Sequence, residues 1–219
     1  NVDGAEADPE TAMAVNGVAV ERLAKVCRQR NVYLIHISTD FVYDGKKDGP
    51  YTEEDQPAPL NVYGKSKLAG ERAVLDSDVE GCVIRVEWTY GVHGRHFISK
   101  ISELAGSRDQ IKVVADQIGS PTPTRGIARA LLAVTEKRAT GLFNYACRGY
   151  TSRFECARLV VDTLGLDCEV IPCTSEAFPT PARRPLNSRF DCSRFDRLIG
   201  GYREDWEKEM KQFLEENRS

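Results

Sequence analysis

The run VYLIHI at residues 32–37 is apolar almost without interruption, and GCVIRV at 81–86 repeats the pattern. A strand with one wet face alternates apolar and polar residues, whereas a strand covered by helices on both faces has no reason to alternate. These two runs therefore predict strands inside a parallel sheet. Parallel neighbours need a long crossover connection, usually a helix. The sequence supplies helices on either side. Asp8, Pro9 and Glu10 make a helix start, with a capping side chain, a proline where no amide hydrogen is needed, and an acid near the positive pole of the dipole. Val15, Val18, Ala19, Leu23, Val26 and Cys27 then recur at helical spacing, which predicts a helix over about residues 9–30. A second helix is predicted over about 61–76, with Asn61 as its cap.

The alternation of helix and buried strand is that of an α/β protein. Residues 44–60, rich in Gly, Pro, Asp and Glu, read as a long loop, and loops of that length in compact domains are commonly functional or disordered. Further on come a helix near 97–106, a strand at IKVV, a helix over 124–137, a strand at GLFNYA, a helix over 151–164 and a strand at CEVIP. The proline-rich FPTPARRPLN (178–187) leads to two short terminal helices. The second half alternates less regularly than the first. The prediction is a Rossmann-like parallel sheet over residues 1–120, with a small α/β annex for substrate drawn mainly from 121–219 and segments free to interleave.

Charge and cysteine usage exclude several classes. A net charge of -3, with both signs interspersed, gives no basic face for nucleic acid, and no apolar run approaches the ~18 residues of a membrane span. Seven cysteines without CxxC spacing fit reduced core thiols and a cytoplasmic setting. His93 and His96 in HGRH have no second cluster with which to hold a metal, so they read as loop residues.

The chemistry gathers after the first buried strand. Catalytic groups of open α/β sheets collect at the carboxyl ends of strands, where Ser38, Thr39 and Asp40 of HISTDFVYDG fall. Tyr63 and Lys67 of NVYGKSKLAGE stand at i and i+4, on one face of the next helix. A bare YxxxK also suits an amphipathic surface helix, and the STD triplet upstream is what makes it specific. A free phenol has a pKa of ~10, so acid–base work near neutrality is helped by a neighbouring cation that favours the phenolate. The spacing predicts that Lys67 supplies this cation, and its ammonium can also hold a ribose diol.

The motifs STDFVYDG, PYTEEDQPAPLNVYGKSKLAGE, VIRVEWTYG, DQIGSPT and RRPLNSRFD together resemble the dTDP-4-dehydrorhamnose reductase family, a branch of the extended short-chain dehydrogenases. The resemblance runs over nearly the whole chain. It implies NADPH- or NADH-dependent reduction of the C4 ketone of dTDP-4-dehydro-L-rhamnose. Tyr63 would be the proton donor, Lys67 its partner and cofactor ligand, and Thr39 the residue that tunes Tyr63 and touches substrate. Asp40 and Trp88 match positions that contact the sugar nucleotide, though a tryptophan just past a strand also suits a core. Arg184 either meets a phosphate or is a solvated surface arginine, and Asp116 and Gln117 organise a turn. Phe41 stands where related dehydratases carry an acid, which favours reduction over elimination. The resemblance leaves open magnesium, which has no signature in the sequence, and a homodimer.

The alternatives are a regulatory protein similar to the beta subunit of methionine adenosyltransferase, which shares much of the YGKSKLAGE region but typically carries Ser in place of Thr39, and another epimerase or reductase of the same superfamily. No GxxGxxG-type turn, the usual pyrophosphate cradle, occurs in these 219 residues. The family places that turn before the region matching Asn1, so the expectation is a fragment whose N-terminal strands are missing.

Overall fold

The computed structural model describes residues 1–201 and 203–217. Helices α1 (Val2–Ala7), α2 (Pro9–Met13) and α3 (Ala19–Arg30) come first, and a π-helical turn at Ala14–Val18 joins the last two. Asp8 caps α2 by accepting from the Thr11 amide at 3.0 Å. The later helices are α4 (Val62–Leu75), α5 (Phe97–Ala105), α6 (Thr124–Glu136), α7 (Arg153–Leu164), α8 (Ser193–Ile199) and α9 (Trp206–Glu216). The strands are β1 (Leu34–Thr39), β2 (Gly81–Val86), β3 (Thr89–Tyr90), β4 (Gln110–Val114), β5 (Ile118–Gly119), β6 (Thr122–Pro123), β7 (Gly141–Tyr145), β8 (Thr151–Ser152) and β9 (Glu169–Cys173).

The main sheet is parallel, in the order β1-β2-β7, with Leu34 facing Gly81 and Thr39 facing Val86. Helix α4 makes the crossover from β1 to β2. Central β2 is buried at all six positions, as its unbroken apolar run predicts. Edge strand β1 pairs on one side only among the described residues, and its Ile37 is 40% exposed. Smaller pairings follow: β4 with β9 and β3 with β6 are parallel, and β5 with β8 is antiparallel.

Two of the cores interleave along the chain. One packs β2 and β7 against α6 and Phe195 of α8. The other joins Ile98 and Ile101 of α5, Ile111 and Val113 of β4, Val160 and Val161 of α7, and Met210 and Leu214 of α9. Residues 97–114 thus belong to the second body and 124–145 to the first. The helical spacing in α3 is present, but only the Ala24 and Cys27 side enters a core, against Leu34, Val74, Val79 and Val83. Leu23 and Val26 are 49% and 52% exposed, because the described partners of this helix lie on the opposite face.

Glu71, at the end of the YGKSKLAGE motif, is structural. Its carboxylate accepts a fork of two bonds from Arg85 of β2, Nε to Oε1 at 2.8 Å and Nη2 to Oε2 at 2.6 Å. Both residues are fully buried, and Arg85 Nη1 donates to the Tyr43 hydroxyl at 2.5 Å. This pair fixes α4 to β2. The long loop at 44–60 is packed in place. Tyr51 stacks on Tyr43 at 4.0 Å, Asp55 gathers Lys47 and Thr52, and Glu53 accepts from the Asn144 amide of β7.

Candidate active site

Helix α4 is set by Asn61, whose Oδ1 accepts from the Gly64 amide and whose Nδ2 donates to the Arg183 carbonyl, both at 2.7 Å. The cap therefore ties the helix to the RRPLNSRFD segment. A Cβ on Gly64 would lie 2.1 Å from the Phe41 carbonyl oxygen, so only glycine lets the start of α4 sit on the turn after β1. That closeness brings Tyr63 to the strand end. Its ring meets Phe41 edge-on, with centroids 5.6 Å apart.

Thr39 ends β1 and caps the short 3-10 turn at 40–42, its Oγ1 accepting from the Phe41 amide at 3.3 Å and donating to Asp40 Oδ1 at 3.1 Å. Asp40 Oδ2 accepts from Ser188 of the RRPLNSRFD segment at 2.5 Å. Burial raises the Asp40 pKa, with Ser188 and Thr39 opposing. Burial also raises that of Tyr63; the negative charge of Asp40 adds to the rise, and a hydrogen bond with Thr39 opposes it. The net shift is therefore upward, and Lys67, predicted to favour the phenolate, is not among its causes. The Lys67 ammonium donates to the Ile37 carbonyl at 2.5 Å and does not pull the phenol toward phenolate. Tyr63 stays protonated, which is the state a proton donor requires.

Burial lowers the Lys67 pKa, with Glu71 opposing. One of its three N–H bonds goes to Ile37, and among the described residues the other two are unspent. Close by on β1, the buried hydroxyl of Ser38 has no partner among the described residues. Spare donors at a strand end, one helical turn from a protonated tyrosine, fit the ribose of a nicotinamide nucleotide.

Trp88 lies just past β2 with left-handed backbone (φ 44°), an uncommon conformation for a bulky residue. The DQIGSPT motif builds the surface beneath it. A Cβ on Gly119 would come within 2.6 Å of the indole, and the Ser120 amide donates to Glu87 Oε2 at 2.9 Å. Glu87 is buried, and that burial, together with Asp40, holds its pKa well above the usual carboxylate range. Asp116 accepts from the amide and hydroxyl of Ser175, and Gln117 donates to the same hydroxyl, so the pair ties its loop to a segment 58–59 positions away rather than organising a local turn. His96 caps α5 through Nδ1 and has Nε2 2.8 Å from the Gly91 carbonyl, which occupies both ring nitrogens.

A cleft of about 1210 Å³ opens beside this cluster. Phe41 forms part of its wall, together with Phe97 and Phe178, and cations at Lys46, Lys100, Lys112, Arg153 and Arg183 outnumber the acids. Arg184 lies on the same wall, but its two arms grip Asp3 at 2.8 Å each. Arg184 is thus a brace between the RRPLN segment and α1. Tyr63, Thr39 and Asp40 come together and Lys67 joins from the next turn, while Trp88 is stacked on Arg153, which lines the cleft.

The family model of the RmlD substrate binding domain matches residues 1–219. A dTDP-4-dehydrorhamnose reductase of Sinorhizobium fredii is 36% identical over 97% of this chain and 76% of its own length. The chain belongs to the dTDP-4-dehydrorhamnose reductase family. Among solved structures of the family, that of Clostridium acetobutylicum is 33% identical with a TM-score of 0.94, over 98% of this chain and 76% of the other. The Bacillus anthracis reductase, solved in complex with NADP, is 32% identical with the same TM-score, over 99% and 77%. Sequence reasoning missed Arg153, Glu87 and Ser188 as members of this site. Glu87 and Ser188 lie inside the motifs VIRVEWTYG and RRPLNSRFD without standing out in them, and Arg153 left a trace as a cation in the first turn of a helix, where the dipole disfavours it.

Proposed function

We infer that this chain carries the catalytic and sugar-nucleotide-binding machinery of an NADPH- or NADH-dependent reductase that converts dTDP-4-dehydro-L-rhamnose to dTDP-L-rhamnose. The observation that carries the reading is a phenol held at the end of β1, its ring edge-on to Phe41, one turn before a lysine with donors to spare. The chemistry that a nicotinamide would supply here, when bound, is hydride for C4 of the sugar. As the C4–O4 double bond becomes a single bond, the oxygen takes up negative charge, and Tyr63 protonates it because an alkoxide is far more basic than a phenolate. Thr39, whose single hydroxyl proton goes to Asp40 in the free protein, would turn it to the sugar oxygen. Lys67 would hold the nicotinamide ribose with the donors it has to spare. Water then restores the phenolic proton. Phe41 keeps the tyrosine face apolar and offers no group to expel water from the sugar, which agrees with reduction. Asp40 and Trp88 would contact the sugar.

The reaction's setting would be the cytoplasm, in keeping with seven unpaired cysteines. No helix among the described residues is long and apolar enough to cross a membrane.

The test is turnover of dTDP-4-dehydro-L-rhamnose with NADPH, followed by loss of absorbance at 340 nm. Tyr63→Phe is expected to lower kcat by roughly 10²- to 10⁴-fold, the usual worth of a positioned acid, while nucleotide affinity is kept. Turnover by Tyr63→Phe at the unaltered rate would overturn the assignment.

A further inference from the structure

Arg153 opens α7, where the helix dipole works against a cation, so helix energetics do not explain its place. Packing does. The guanidinium carbon lies 3.6 Å from the centroid of the Trp88 ring and 4.7 Å from that of Phe97. Stacking occupies the faces of a guanidinium and leaves its five N–H donors, which point outward in its plane, free for other partners. Among the described residues no hydrogen bond is made to them; Asp40 and Glu87 act on the group only through space. Burial brings its pKa down to about 10, which still leaves it cationic at neutral pH. Arg184 makes the contrast, because its donors are spent on Asp3.

Arg153 also lines the cationic cleft. A planar fork, held by aromatic rings, partly stripped of water and with every donor in hand, is matched in geometry by a pair of phosphate oxygens. We propose that Arg153 is the anchor for the diphosphate of the sugar nucleotide, oriented by its stack on Trp88 and Phe97. The assignment rests on the substrate class inferred above. Trp88 then gains a positioning role. The left-handed turn at its backbone and the bare Cα of Gly119 allow the indole to lie flat against the guanidinium.

The experiment is calorimetric titration of dTDP, thymidine and inorganic pyrophosphate into the 219-residue chain and its Arg153→Gln and Arg153→Lys variants, with folding checked by circular dichroism. Loss of two charge-assisted bonds is expected to weaken dTDP binding roughly 10- to 100-fold in Arg153→Gln, with thymidine affinity unchanged. Arg153→Lys keeps the charge and loses the fork, so it is expected to fall between, and it decides the matter if Arg153→Gln does not fold. Pyrophosphate competition with dTDP is expected in the unaltered chain and is expected to weaken in parallel. Equal losses for dTDP and thymidine would make Arg153 a packing residue and overturn the assignment, as would unchanged dTDP affinity. Absence of dTDP binding to the unaltered chain would overturn the functional reading itself, and this assignment with it.

Discussion

Replacing Arg85 by methionine removes one half of the buried pair that holds α4 against β2. The structure sets the size of the effect. Arg85 and Glu71 have side chains only 2% and 1% exposed, and the arginine gives two bonds to the carboxylate and one to Tyr43. Methionine fills most of the volume but leaves the Glu71 carboxyl without its arginine partner and out of reach of bulk water. Breaking a buried pair in this way costs about 3–5 kcal/mol. For a domain of this size that corresponds to a fall in melting temperature of roughly 6–20 °C. Arg85→Met with Glu71→Leu removes both charges, and it is expected to recover most of the loss because desolvation of the pair offsets much of its attraction. Urea unfolding followed by circular dichroism, run as a double-mutant cycle, measures the coupling directly. A single-variant loss below about 1 kcal/mol, or a double variant worse than Arg85→Met alone, would refute the argument that the pair is a closed, mutually dependent unit.

Three other outcomes follow from the same geometry. Burial and Lys67 hold the His36 pKa at about 4, so the ring is neutral in the fold but protonates in the unfolded chain near 6.5. Its contribution is therefore present above pH 6.5 and is lost as the pH falls toward 4, at most roughly 3 kcal/mol; unfolding in urea at a series of pH values should show this slope, and His36→Gln should flatten it. Because burial raises the Tyr63 pKa, kcat should not decline as the pH rises toward the ~10 of a free phenol; a limb near pH 7–8 that Tyr63→Phe abolishes would contradict this. Gly119→Ala puts a methyl 2.5 Å from Glu87 Oε2 and 2.6 Å from the Trp88 ring, and is expected to cost about 1–3 kcal/mol and alter tryptophan emission.

What the sequence made legible was local. Unbroken apolar runs gave the parallel strands, and in β2 the run matches burial at all six positions, whereas β1 reads the same way but leaves Ile37 40% exposed. Tyr63, Lys67 and the STD triplet were found by spacing along one helix and one strand end. What stayed hidden was contact across the chain. Ser188 reaches Asp40 from 148 positions away, and nothing near either residue announces the other. Arg184 and Arg153 look alike as letters, yet one is bound to Asp3 and the other is stacked on rings in the cleft. The direction of the Tyr63 shift also needed three dimensions, since it comes from burial and from Asp40, neither of which the spacing of Tyr63 and Lys67 reveals. In α3 the periodicity identified a helix correctly and could not say which of its apolar residues face a partner.

The most direct test of the central claim is isotopic. NADPH carrying deuterium at the transferred C4 position is mixed with the protein and dTDP-4-dehydro-L-rhamnose, and the product is read by mass spectrometry and proton NMR. The account predicts dTDP-L-rhamnose with one deuterium at sugar C4, and its near loss in Tyr63→Phe. A deuterium-free product, or no reduced sugar from a protein that binds both compounds, would contradict it.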